Sequence, residues 1–162
     1  MGHGLIPPMN GGLNGSLFSL PGDTPHIDNT LLPGELILGI EVPPSRVAEH
    51  SWYLKVRDRH SYAFALVSVA VGLEMEAGRI RSAGIALGGV ASKPWRVRDA
   101  EQSLAGRPAD LAAFQAAAEI ALVGAQPLSQ NGFKVDLAKH SIVRTLRLAA
   151  DGPQSRKGGK YE

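Results

Sequence analysis

Strict alternation of apolar and small or polar residues first becomes sustained in "VSVAVGLEME", where Val67, Val69, Val71, Leu73 and Met75 recur at every second position. That period places them on one face of a strand, with Ser68, Ala70, Gly72 and Glu74 on the other. Ala77-Gly78 then predicts a tight turn, because Gly78 accepts the positive φ of a short hairpin connection, and Ile85 and Leu87 resume the alternation on a returning strand. Upstream, "SWYLKVRD" predicts a strand with Trp52, Leu54 and Val56 on one side and Tyr53, Lys55 and Arg57 on the other. If that strand continues, Lys55, Arg57 and Arg59 share a face. A further strand is expected in "ELILGIEVP", stopped by Pro43-Pro44, which supply no ladder N–H groups.

After residue 93 the period lengthens to that of helices. Pro94 suits the first turn of one helix, which Gly106 ends, and an alanine-rich helix is expected from near Pro108 to Gly124. The last helix takes Asn131 as its N-cap and has Gly152 beyond its end. Val135, Ala138, Ile142, Leu146 and Ala149 form its apolar face. Strands first and helices last predict an α+β fold: a small antiparallel sheet of three to four strands followed by three helices packed on one face. Residues 35–150 are read as this domain. Residues 1–34, dense in Gly, Pro and Asn, read as an irregular lead, either the remnant edge of a larger domain or a cloning-derived extension. Residues 151–162 read as a disordered polar tail.

The 162 residues suit one domain and its tails, since single cores are most often about 100 to 150 residues long. Seventeen basic residues against fifteen acidic ones give a net charge of only +2, which argues against nucleic acid as a partner. Cysteine is absent, so disulfides, zinc-thiolate sites, a cysteine nucleophile and iron–sulfur ligation by this chain's own thiolates are excluded. No apolar run approaches the roughly 20 residues of a membrane span. The start lacks the basic and apolar regions of a secretory signal, which points to the cytoplasm, or to the periplasm if a partner carries the export signal.

Candidate chemistry is sparse. The five histidines, His3, His26, His50, His60 and His140, lack paired metal-ligand spacing, so no metal is assigned. "GIALGGVASKP" lacks the order of a phosphate loop, and no G-x-S-x-G elbow is present, so no catalytic residue is assigned. Glu74 and Glu76, on one strand face near a turn, are explained as a solvated strand end. The charged group Lys55, Arg57, Asp58, Arg59 and His60 admits three readings on its residues alone: a solvated strand end, a nucleic-acid patch, or a site for an anionic or electron-rich ligand.

Taken in order, "LPGDTPHIDNTLLPGELILGIEVP", "YLKVRDRHSYAFALVSVAVGLEM", "AGIALGGVASKPWRVRDAEQSLAGRP" and "NGFKVDLAKHSIVRTL" resemble the C-terminal part of the FAD-binding (medium) subunit of molybdenum hydroxylases, the xanthine dehydrogenase, aldehyde oxidoreductase and carbon monoxide dehydrogenase type. The resemblance covers about residues 17 to 149. It implies a place in an electron path, in which FAD takes electrons from iron–sulfur clusters and passes them to an acceptor. It also implies partners: a molybdopterin-binding large subunit, an iron–sulfur small subunit, and an FAD-binding domain absent from this chain. On this resemblance Lys55 falls on a flavin-contacting lysine and Ile37 on an apolar flavin contact. Arg57, Asp58 and Arg59 are left open, as an acceptor-side loop or a subunit contact. The rival reading is a non-enzymatic module that docks protein partners.

Overall fold

The computed structural model describes residues 17–20, 22–40 and 43–152. The chain divides into two compact units, Met1–Pro43 and Pro44–Glu162. The expected polar tail lies almost wholly outside the described residues, as do His3 and most of the "NGGLNGS" stretch.

The second unit holds a four-stranded antiparallel sheet and three helices. Its strands are β1 (Ser51–Val56), β2 (Val67–Glu76), β3 (Arg79–Gly88) and β4 (Trp95–Arg96), hydrogen-bonded in that order. The helices are α1 (Arg98–Leu104), α2 (Leu111–Ala121) and α3 (Phe133–Ala150). This is the α+β arrangement that the alternation predicts. Ala77 (φ 48°) and Gly78 (φ 76°) make the β2–β3 turn, and two successive positive φ values match the right-handed twist of the strands they join.

Register fixes the two faces of the sheet. Leu54 pairs with Val69 and Val69 with Leu87, while Trp52 pairs with Val71 and Val71 with Ile85. These residues form the core side, where Val67, Val69, Leu73 and Ile80 are wholly buried. α3 packs on β1 and β2, α1 packs on β3, and α2 lies against both α1 and α3. Phe114, Leu104, Ile142 and Leu146 fill the space between sheet and helices. The aliphatic face expected on the last helix is present from Ala138 to Ala149, with Val135 half-buried at its start. Two hydroxyls share that buried face. Ser141 Oγ donates to Leu137 O at 2.6 Å and Thr145 Oγ1 donates to Ser141 O at 2.6 Å, so each is satisfied within its own helix.

Four expectations are corrected. Among the described residues 35–40 form no strand, and the fourth strand is instead Trp95–Arg96. A strand needs a neighbour for its N–H and C=O groups, and alternation alone does not supply one. Pro94 consequently precedes β4 rather than opening a helix. The strand through Lys55 ends at Val56: Leu66 N donates to Val56 O at 2.8 Å, and residues 57–65 make the turn back. Arg57 and Arg59 therefore lie outside the ladder. Asn131 does not cap α3 with its side chain; its Oδ1 accepts from Leu128 N at 2.6 Å and closes the turn before the helix. α2 starts at Leu111 because Asp110 caps it, its carboxylate accepting from Ala113 N at 2.8 Å.

The lead is less irregular than its composition implies. Phe18 and Asn29 form an antiparallel bridge, with Ser19 N donating to Asp28 O at 3.0 Å and Thr30 N to Leu17 O at 2.9 Å.

Candidate functional site

The sheet face turned away from the helices is floored by small residues. Lys55 pairs with Ser68, which pairs with Gly88; Tyr53 pairs with Ala70, then Ala86, then Arg96. The period of two that buries Leu54 and Val69 on the other side aims Tyr53 and Lys55 onto this one. Tyr53 is 62% exposed and Lys55 is exposed as well. No ion pair engages Lys55 among the described residues, so its ammonium group faces solvent across a low surface. Val47 closes one end of the face: a Cβ on Gly72 would lie 2.6 Å from Val47 Cγ2, so only glycine fits there.

At the same end Glu74 gathers cations. Its carboxylate accepts from Ser82 Oγ at 2.9 Å and from Arg46 Nη1 at 3.3 Å, and Arg81 Nε stands 3.8 Å away. Arg81 also pairs with Glu76 at 3.6 Å. These contacts, the Ser82 hydrogen bond foremost, hold the Glu74 carboxyl below its ordinary value despite partial desolvation, which acts the other way. The solvated strand end expected of the two glutamates is thus a small charge network. A depressed folded-state pKa means that the network stabilises the fold above the ordinary glutamate range and loses that contribution as pH falls through the folded value. We expect the drop in thermal midpoint between pH 7 and pH 3 to be smaller in Glu74→Gln than in the unaltered chain, as read by circular dichroism.

At the opposite edge Glu101 is 8% exposed, and sequence reasoning missed it. Its Oε1 accepts from Ile85 N at 2.9 Å and from Arg96 Nε at 2.9 Å, and its Oε2 accepts from Arg96 Nη2 at 3.1 Å. The carboxylate raises the Arg96 guanidinium further above its ordinary value, through the hydrogen bond first. Beyond β4, Glu101 therefore takes a β3 backbone N–H that has no strand partner there. Glu101 stands in the first turn of α1, where a carboxylate suits the helix N-terminus, a position that the helix start expected at Pro94 did not give.

Ile37 lies in the first unit and is 53% exposed; Lys55 lies in the second. Arg57, Asp58, Arg59 and His60 sit on the 57–65 connection, all exposed, beside Tyr62 (100%) and Phe64 (98%). His50 belongs to the helical side, where its Nδ1 lies 3.1 Å from Ala149 O at the end of α3. A groove of about 630 Å³ between α2 and α3, bordered by Glu119, Lys139, His140 and Arg144, is likewise on the side away from Lys55. No group of three His, Asp or Glu side chains converges on a metal position among the described residues. Nor is any described helix long and apolar enough to cross a membrane.

This combination of strands, helices and sequence is that of a known family. The family described as the CO dehydrogenase flavoprotein C-terminal domain matches residues 52–149, which take in nearly all of the sheet and helices. The chain belongs to this family. It is 44% identical over 126 residues to the aldehyde oxidoreductase FAD-binding subunit PaoB of Escherichia coli (strain K12), a match covering 78% of this chain and 36% of PaoB. Among solved structures it is similar to quinoline 2-oxidoreductase from Pseudomonas putida 86, with a TM-score of 0.60 and 32% identity, over 64% of this chain and 38% of that one. It is also similar to a carbon monoxide dehydrogenase from Hydrogenophaga pseudoflava that lacks the Mo-pyranopterin moiety of its molybdenum cofactor. There the TM-score is 0.57 at 27% identity, over 63% of this chain and 37% of that one. The chain thus spans little more than a third of the length of each relative.

Proposed function

We propose that the chain forms the C-terminal part of the FAD-binding subunit of a molybdopterin-dependent hydroxylase. In this reading it helps enclose the flavin that passes electrons from iron–sulfur clusters to an acceptor. Membership of the flavoprotein C-terminal family over residues 52–149 carries the reading, and it favours this role over a non-enzymatic docking module. The partners follow from it: a molybdopterin-binding large subunit, an iron–sulfur small subunit, and the FAD-binding portion that the relatives have in addition. The compartment in this reading is the cytoplasm, or the periplasm if a partner carries an export signal.

The residues present fit a flavin at Lys55. A planar ring needs a low floor, and Ser68, Ala70, Ala86 and Gly88 provide one beside an ammonium group that no carboxylate neutralises among the described residues. The flavin, when bound, supplies the capacity to take up and release electrons. Lys55 holds a fixed positive charge beside it, which favours the negative charge that accrues on reduction. Ile37 supplies an apolar contact. Neither residue moves a proton or forms a bond, so the chain's part is to bind and to bias.

The test is the flavin midpoint potential of a reconstituted subunit. Lys55→Ala removes the cation and is expected to lower the potential or weaken FAD binding. For a partly solvated charge the effect is about 1 kcal/mol, or about 20 mV for a two-electron couple. Arg57→Ala, whose side chain lies beyond the end of β1, serves as the comparison and is expected to change both quantities less. Equality of Lys55→Ala with the unaltered protein in both quantities rejects the role given to Lys55.

A further inference from the structure

The groove between α2 and α3 has no part in enclosing a flavin. It holds about 630 Å³ and follows one stripe of α3, from Asp136 through Arg144 and Arg147 to Asp151, with Gln115 and Ala118 of α2 as the opposite wall. At a rise of about 1.5 Å per residue the stripe is about 22 Å long, so the groove is a trough rather than a pit. Its charge is ordered along that length. Arg144 stands at the middle and Arg147 one turn further on, and neither is in an ion pair among the described residues. Lys139 is neutralised by Glu119 at 2.6 Å, while Asp136 and Asp151 mark the two ends. Val143 and Leu148, both half-buried, add apolar surface beside the two arginines.

We infer that this trough seats an acidic amphipathic helix of a separate protein partner, with two carboxylates on Arg144 and Arg147 and aliphatic side chains between them on Ala118, Val143 and Leu148. The walls are the sides of two helices, whose N–H and C=O groups are paired within α2 and α3, so the occupant must satisfy its own backbone, as a helix does. Arg144 and Arg147 are about 4.5 Å apart along the axis, the interval at which a helix presents carboxylates three residues apart. Ala118, with its small side chain, lets a third helix pack closely, ridge into groove. Glu119, Asp136 and Asp151 repel a phosphate backbone, which disfavours nucleic acid. A second copy of this chain does not fit either. In α1 the exposed Asp99 is followed by the buried Glu101, α2 carries Glu119 and α3 carries Asp136, so no described helix offers two exposed carboxylates at that spacing. The trough lies on the side away from Lys55, and the inference does not depend on the flavin reading.

The experiment uses the full chain and a synthetic alanine-based peptide of about 16 residues, long enough to span the trough as a helix. The peptide carries two glutamates three residues apart at its centre, leucines on the same face and a lysine near each end to meet Asp136 and Asp151. Fluorescence anisotropy of the labelled peptide is expected to show saturable binding. Arg144→Glu and Arg147→Glu are each expected to weaken it at least about tenfold, because like charges then meet across the contact. Both side chains are exposed, so the thermal midpoint of either variant is expected to stay within about 3 °C of the unaltered chain. Arg98→Glu makes the same change in net charge on α1, outside the trough, and is expected to alter the affinity less than about twofold. Four results overturn the inference: no binding at about 1 mM peptide, equal binding of a peptide with the same residues in scrambled order, equal weakening by Arg98→Glu and Arg144→Glu, or tighter binding of a single-stranded oligonucleotide than of the peptide.

Discussion

Phe114→Ala is expected to destabilise the second unit by about 3–5 kcal/mol, the usual range for truncating a fully buried phenylalanine. The ring is 1% exposed and sits on α2, the helix farthest from the sheet in the order of packing, where it joins α1 and α3 into one layer. Its neighbours on the buried side of α2 are Ala113, Ala117, Ala118 and Ala121, which have too few atoms to close the space that the ring vacates. Because domains are stable by only about 5–15 kcal/mol in total, the variant is expected to unfold at a far lower denaturant concentration. Phe133→Ala is the comparison. That ring is 56% exposed at the start of α3, and its loss is expected to cost about 0.5 kcal/mol or less. Equal urea midpoints for the two variants would show that α2 does not close the core.

The second large effect is expected at Glu101. Replacing it by alanine leaves the Ile85 N–H without its acceptor in a buried position and leaves Arg96 without its carboxylate. An unsatisfied buried donor costs about 1–3 kcal/mol, and the charged hydrogen bonds add to it, discounted because Arg96 is about half exposed. The sum is about 3 kcal/mol. Glu101→Gln retains an oxygen for Ile85 N while removing the charge, and is expected to lose less than half as much. Hydrogen exchange at Ile85 separates the variants: its amide exchanges faster in Glu101→Ala and stays protected in Glu101→Gln. Retained protection in the alanine variant would contradict the role given to the carboxylate.

The parts of the fold legible in the sequence are those where one local pattern decides. Alternation through β2 and β3 names both sheet faces, and the Ala77-Gly78 turn fixes their register within one bulge near Glu74 and Met75. The third helix is legible because its aliphatic face recurs at helical spacing. Legibility fails where a distant partner decides. Residues 35–40 carry the composition of a strand as strong as β1, yet lack a sheet among the described residues; Trp95–Arg96, two residues long, pairs because Ala86 and Leu87 offer an edge. The reversal at 57–65 has no glycine, proline or asparagine to announce it, and Tyr62 adopts φ 52° all the same. Of the site, the face of Lys55 was readable from the period of two. Its floor of small residues needed the pairing of three strands, and Glu101 needed the fold itself, because nothing local connects it to Ile85.

Arg57 and Arg59 would share the face of Lys55 only if its strand continued, and β1 stops at Val56. The consequence for function is that Lys55 is the β1 cation that borders the small-residue floor, with Arg57, Asp58, Arg59 and His60 on the connection beyond it. This concentrates the functional reading on one face of the sheet, whose value lies in what it encloses. The most direct measurement is the FAD dissociation constant of E. coli PaoB shortened to remove the segment that this chain matches, taken alone and with this chain added at saturation. The account predicts binding at least about tenfold tighter in the presence of the chain, equivalent to about 1.4 kcal/mol of added contact. Identical dissociation constants, with the complex verified by sedimentation, would contradict it.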